Sequence, residues 1–259
     1  MTRTIALSAM LIASSIVAVI AARQSGSQFA PVGPIQKVRN NLYMVPGQGG
    51  NTAIFVTRTG VVLVDTKLSG NGAAIMERVA AVSDVPVTMI INTTSDMDHV
   101  GSNDFFAPSV EIITHENAKA NMAKIEGLRE APHAMPDRTF SDRLTIGRGR
   151  DQIDLYYFGA GHTNGDAIVV FPAVRAMHAG DLFAPDTTPA VDGDNGGRAA
   201  AYRETLEKAV KTLRNIDTVI PGHGDVTTWR AFVDYASRAT ASAGTPWRRS
   251  LLPALPPHD

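Results

Sequence analysis

The sequence predicts an α/β fold in a single domain, with helices covering sheets, and three observations carry that expectation. Short runs rich in Val and Ile come first and in succession. They then alternate with segments whose apolar residues recur at helical spacing. Each polar cluster falls directly after a predicted strand, where such folds place their chemistry. The chain has 259 residues, 44% of them hydrophobic and 19% charged, enough to bury a large core without a staple and too apolar for a disordered chain. Lys plus Arg number 24 against 25 Asp plus Glu, a formal net charge of -1. That balance supplies no electrostatic footprint for a nucleic-acid partner. There is no cysteine, which excludes disulfides, thiol catalysis and Cys-ligated metals.

Residues 1–23 read as a targeting segment: Arg3 provides the positive start, an uncharged apolar stretch runs from residue 5 to residue 22, and Ala21 and Ala22 offer a cleavage site. Retained, residues 5–22 would anchor the chain in a membrane, its one expected membrane contact. The expectation is an exported protein, periplasmic or extracellular, or anchored by that stretch. Residues 24–34 form a flexible lead-in. Residues 35–240 hold the domain, and 241–259 are a Pro-rich tail. Within the domain, residues 42–45, 53–56 and 61–64 are strands of a meander punctuated by the turn at 47–51. Ile75, Met76, Val79 and Val82 mark a helix, and residues 87–91 and 110–113 are strands, the second followed by a helix from Ala118 to about Ile125. Residues 144–146 and 153–158 flank Gly147-Arg148-Gly149 as a hairpin. Strands at 167–171 and 174–177, a helix through Tyr202, Leu206, Val210 and Leu213, a strand at 218–220 and a helix from Trp229 to Ala236 complete the set.

Seven histidines are present, and three stand out by context. His99 follows Asp98, His162 sits in Gly159-Ala160-Gly161-His162-Thr163, and His223 in Pro221-Gly222-His223-Gly224. Neighbouring glycines let the backbone turn sharply and aim an imidazole into a shared cleft. Asp181 follows Gly180 at a strand end in the same way. Imidazoles and carboxylates without thiols suit zinc or another borderline divalent metal. Elsewhere the plainer readings are preferred. Asp65 orients neighbouring loop residues, Asp166 is a turn carboxylate, His178 is structural, and His115 is a surface or capping residue. Asn92-Thr93-Thr94 matches a glycosylation sequon but lies inside the cleft motif. The Gly-rich acidic loop at 192–197 either shapes a substrate mouth or is an ordinary flexible loop.

Five segments in order resemble the metallo-β-lactamase superfamily: Gly60 to Thr66, Asn92 to Gly101, Gly161 to Asp166, Gly180-Asp181, and Pro221 to Gly224. The resemblance implies a four-layer αββα sandwich with a metal cleft along one edge of its sheets. The central motif His-x-His-x-Asp-His is degenerate here. It reads Thr94-Ser95-Asp96-Met97-Asp98-His99, with Thr94 and Asp96 where the two histidines of the first metal site belong. By resemblance the second site is complete in Asp98, His99, Asp181 and His223, and the first keeps His162 and Asp181, which Asp96 can join. The implied protein is a hydrolase with one zinc ion, iron or another divalent metal being alternatives. A metal-activated water would attack an ester, thioester, lactone or amide-like bond of a small molecule. Asp98, Asp96 and His162 are the catalytic candidates, Asp96 as general base and His162 as acid or oxyanion donor. The competing reading is an inactive relative that binds a ligand or partner; a redox iron site is a third.

Overall fold

The computed structural model describes residues 31–185 and 190–241. The targeting segment, most of the lead-in and the tail after Ala241 lie outside these residues. The fold belongs to a compact unit that begins at Pro31. Its strands are β1 (Gln36–Arg39), β2 (Leu42–Val45), β3 (Thr52–Val56), β4 (Val61–Val64), β5 (Val87–Ile91), β6 (Glu111–His115), β7 (Arg138–Phe140), β8 (Arg143–Ile146), β9 (Ile153–Tyr156), β10 (Ile168–Phe171), β11 (Ala176–His178), β12 (Thr218–Ile220) and β13 (Thr227–Thr228). Its helices are α1 (Gly72–Ala80), α2 (Met97–Val100), α3 (Glu116–Met122), α4 (Glu126–Arg129), α5 (Ala199–Thr212) and α6 (Trp229–Ala241). None is long and apolar enough to cross a membrane.

β1 to β7 form one sheet in chain order, antiparallel through β4 and parallel thereafter. The other sheet runs β13-β12-β11-β10-β9-β8, with β11 and β12 its parallel pair. Because alternate strand residues face opposite ways, each central strand feeds two cores. Val62 and Val64 of β4, Phe55 of β3, and Val169 and Phe171 of β10 meet between the sheets. There the Phe55 and Phe171 rings lie 4.8 Å apart. Val61, Leu63 and Ile54 face outward to Ile75 and Val79 of α1. Ile168, Val170 and Met177 face Tyr202, Leu206 and Phe232 of α5 and α6. Those three cores define the expected four layers. Each such fully buried side chain contributes roughly 1.5–3 kcal/mol of transfer free energy.

The differences from expectation are local. The strand expected at 174–177 starts at Ala176, because Pro172–Val174 form a 3-10 turn and Arg175 takes φ 52°. The helix expected at 118–125 starts at Glu116 and stops at Met122. It is capped by His115, whose Nδ1 accepts from Asn117 N at 3.2 Å. His115 is therefore a cap but not a surface residue; it is buried and stacks on Tyr157. The short strands β1, β7 and β13 escape the hydrophobic pattern because they carry mostly exposed polar residues, as edge strands do.

Candidate metal centre

Parallel strands end on the same side, so the loops after β4 and β5 meet on one sheet and those after β11 and β12 on the other. The first pair brings Asp65, Asp96, Asp98 and His99; the second brings Asp181 and His223. Asp65 sits in the left-handed region at φ 62°, and both oxygens of its carboxylate are engaged. It accepts from Thr93 N at 2.8 Å, Thr93 Oγ1 at 2.6 Å and His99 Nδ1 at 2.8 Å. An ionised carboxylate only accepts, so the proton of neutral His99 is on Nδ1. Its Nε2 lone pair is left for the cleft, an arrangement typical of metal-ligating histidines.

Around that nitrogen the donors converge. His99 Nε2 lies 3.2 Å from Asp181 Oδ1, 3.4 Å from His223 Nε2 and 3.9 Å from Asp98 Oδ2. His223 Nε2 is 3.2 Å from Asp98 Oδ2 and 3.5 Å from Asp181 Oδ1. Ligands on tetrahedral zinc at about 2.0–2.1 Å stand about 3.3 Å from one another, close to most of these separations. Asp181 Oδ1 is buried, and apart from its ion-pair contacts with His99 and His223 it has no hydrogen-bond partner among the described residues. Burial opposes charge on His99, yet the carboxylates of Asp181, Asp98 and Asp65 outweigh it and hold its pKa well above the ordinary imidazole value. Burial likewise opposes ionisation of Asp181 and Asp98, and the neighbouring histidines, His99 foremost, hold both below the usual carboxylate range. The residue types and spacings fit a divalent cation, which would take the place of the protons on these imidazoles. His223, 44% exposed, leaves the site open to solvent.

Asp96, His162 and Asp181 form a second group of converging donors, with a different geometry. His162 Nδ1 is 3.1 Å from Ala190 O, and its Nε2 is 2.5 Å from Asp96 Oδ2 and 3.5 Å from Asp181 Oδ2. The Asp96 contact is a close hydrogen-bonded ion pair, well short of the spacing of about 3.3 Å between two ligands on one zinc. Burial opposes charge on His162, but the Asp96 hydrogen bond and the Asp181 carboxylate hold its pKa well above the usual value. Thr94 is buried, and its hydroxyl has no hydrogen-bond partner among the described residues.

All six residues singled out in the sequence thus meet in one cleft. Asp166 turns back to accept from Thr163 N and Oγ1 beside His162, and His178 is buried with its Nε2 3.1 Å from Asn51 O. Asn92 is buried against Asn103, in keeping with setting the sequon aside. The loop at 190–197 holds His162, with Asp192 N donating to its carbonyl. Two contributors escaped the sequence reading. Asn51 reads only as part of the turn at 47–51, and Lys67 carries no reading from the sequence. The one available signal for Lys67 was its place directly behind the apolar run 61–64 and Asp65.

Comparisons with known proteins agree with this architecture. A crystal structure of DIM-1 metallo-beta-lactamase matches with a TM-score of 0.69 at 16% identity, over 82% of this chain and 99% of that one. The type 2 metallo-beta-lactamase of Bacillus cereus is 28% identical over 182 residues, 68% of this chain and 67% of that protein. The corresponding enzyme of Bacteroides fragilis is 26% identical over 106 residues, 41% of this chain and 43% of that protein. The 2,4-dinitroanisole O-demethylase subunit alpha of Nocardioides sp. (strain JS1661) is 30% identical over 162 residues, 60% of this chain and 48% of that subunit. The chain therefore spans under half the length of two of these relatives. Residues 45–223, most of the chain and all of the cleft just described, match the family described as the metallo-beta-lactamase superfamily, and this protein belongs to it.

Proposed function

We propose that this protein is an exported metal-dependent hydrolase that holds one zinc ion, or a similar divalent metal, through Asp98, His99, Asp181 and His223. Its substrate in this reading is a small molecule with an ester, thioester, lactone or amide-like bond. The observation that carries the reading is the convergence of His99 Nε2, His223 Nε2, Asp98 Oδ2 and Asp181 Oδ1. β-Lactams are one candidate among these substrates: a fold does not fix chemistry, and the relatives include an O-demethylase subunit as well as lactamases. Export rests on residues 1–23 of the sequence.

When bound, the ion supplies Lewis acidity and brings the pKa of water towards roughly 7. The chain's own residues do the rest. Asp65 keeps the His99 proton on Nδ1. Asp96 and His162, linked at 2.5 Å, stand beside Asp181 as a proton-handling pair. Asp96 takes a proton from the attacking water, and the His162 ring returns one to the leaving group or donates to the developing oxyanion.

The test is elemental analysis of protein purified without chelators, in wild type, Asp98→Ala and His223→Ala. About one zinc or iron per chain is expected, lost in both variants. No metal after incubation with excess zinc would favour the ligand-binding alternative instead. With metal in place, Asp96→Asn should retain it and lose about 10²–10⁴-fold in turnover on whichever ester, thioester, lactone or β-lactam is hydrolysed. Unchanged turnover would remove Asp96 from the mechanism.

A further inference from the structure

Lys67 is fully buried, at φ 65° two residues beyond Asp65. Its ammonium donates to Val45 O at 2.7 Å and Gly50 O at 2.9 Å, at the two ends of the loop that joins β2 to β3. The next residue, Leu68, donates its N–H to Gln48 O in the same loop. An isolated buried ammonium is costly, so two backbone carbonyls fixed this way form a deliberate anchor.

The anchored loop touches both halves of the metal centre. Gly50 N donates to Asp98 O at 2.8 Å. Gly50 also lies so close to the His99 ring that a Cβ there would stand 2.3 Å from Cε1. On the other sheet, Asn51 N donates to Gly222 O, and its Nδ2 donates to Pro221 O and Gly224 O, bracketing His223. One six-residue loop, residues 46–51, therefore braces Asp98 and His99 against the turn that carries His223.

We propose that Lys67 is a positioning residue of the metal centre: through the β2–β3 loop it sets the approach of His99 to His223. The proposal rests on the metal-binding reading above. Lys67 touches no ligand itself, and its effect reaches them through Gly50 and Asn51.

Zinc affinity of the full chain, measured by competition with a chromophoric chelator, tests this in wild type, Lys67→Met, Lys67→Gln, Asn51→Ala and the Lys67→Met/Asn51→Ala double variant. Thermal melts of the metal-free proteins run alongside. Lys67→Met should weaken zinc by about 10–100-fold, the usual effect of losing a residue that orients ligands. At pH 7 the metal-free melting temperature should change little, because an apolar chain of similar volume relieves the desolvation of the ammonium. Lys67→Gln keeps N–H donors and should recover part of the affinity. The double variant should lose less than the product of the two single losses, since both act through one loop. Unchanged zinc affinity in Lys67→Met, or fully independent losses, would overturn the proposal. So would failure of both Lys67 variants to fold, which would assign Lys67 to the core alone. A wild type that binds no zinc would instead refute the metal reading on which the proposal stands.

Discussion

The His99 ring is oriented toward the cleft by the residue behind it. Asp65 accepts three hydrogen bonds, and the one from His99 Nδ1 decides which ring nitrogen faces the cleft. The same turn gives Lys67 the opposite problem, a charge buried without a carboxylate bonded to it. Burial holds its pKa down to about 7, against the pull of Asp65. A lysine in the unfolded chain titrates near 10.4. Between those values the unfolded chain carries the extra proton, so this group's contribution to stability rises with pH from about 7 towards 10 and is constant below that window. Melts of metal-free wild type and Lys67→Met from pH 6 to pH 10 should show the difference moving in favour of wild type above pH 7. The slope should be at most about 1.4 kcal/mol per pH unit. A difference independent of pH would mean that Lys67 keeps its ordinary pKa.

The parallel pairs β4–β5 and β11–β12 carry the site, and tight turns after them aim its side chains. Gly222 is the sharpest case: a Cβ there would stand 2.1 Å from Asp181 Oδ1. Gly222→Ala should therefore displace Asp181 and weaken zinc by about 10-fold or more, with the far-UV circular dichroism of wild type. Full zinc affinity in that variant would show that Asp181 is not a ligand. These elements were also the most legible in the sequence. Residues 61–64 are an uninterrupted apolar run and 87–91 one broken only by Thr88, and the strands match them residue for residue. The misreadings came where local signals compete. Pro172 and Arg175 convert the expected start of a strand into a turn, and His115 doubles as strand end and helix cap.

Seen across the molecule, the proposed metal centre would join two sheets that otherwise meet through apolar packing such as Phe55 against Phe171. Asp98 and His99 belong to one side, Asp181 and His223 to the other, so an ion bound by all four ties the sheets together and stabilises the native state by mass action. Zinc at about a hundred times its dissociation constant should add about 2.7 kcal/mol. For a domain of this size that is a rise in melting temperature of about 5–10 °C. Differential scanning calorimetry with and without zinc checks this in wild type and Asp98→Ala. An equal rise in the variant would locate the binding elsewhere.

Residue types, motif order and strand identity were readable from the chain alone, because each is recorded in near neighbours: an apolar run, a glycine beside a histidine, an aspartate before one. Through the family resemblance that those local motifs carry, Asp98, His99, Asp181 and His223 were placed together and Thr94 and Asp96 marked as departures. Packing decided the distances. His99 and His223 are 124 positions apart in sequence and 3.4 Å apart in space, and the 2.5 Å bond from Asp96 to His162 spans 66 positions. Nothing near Lys67 in the chain records that its ammonium ends under a loop some twenty residues earlier. Such separations are sums over two sheets and their cores, and small differences in packing choose between a hydrogen bond and a metal-sized gap.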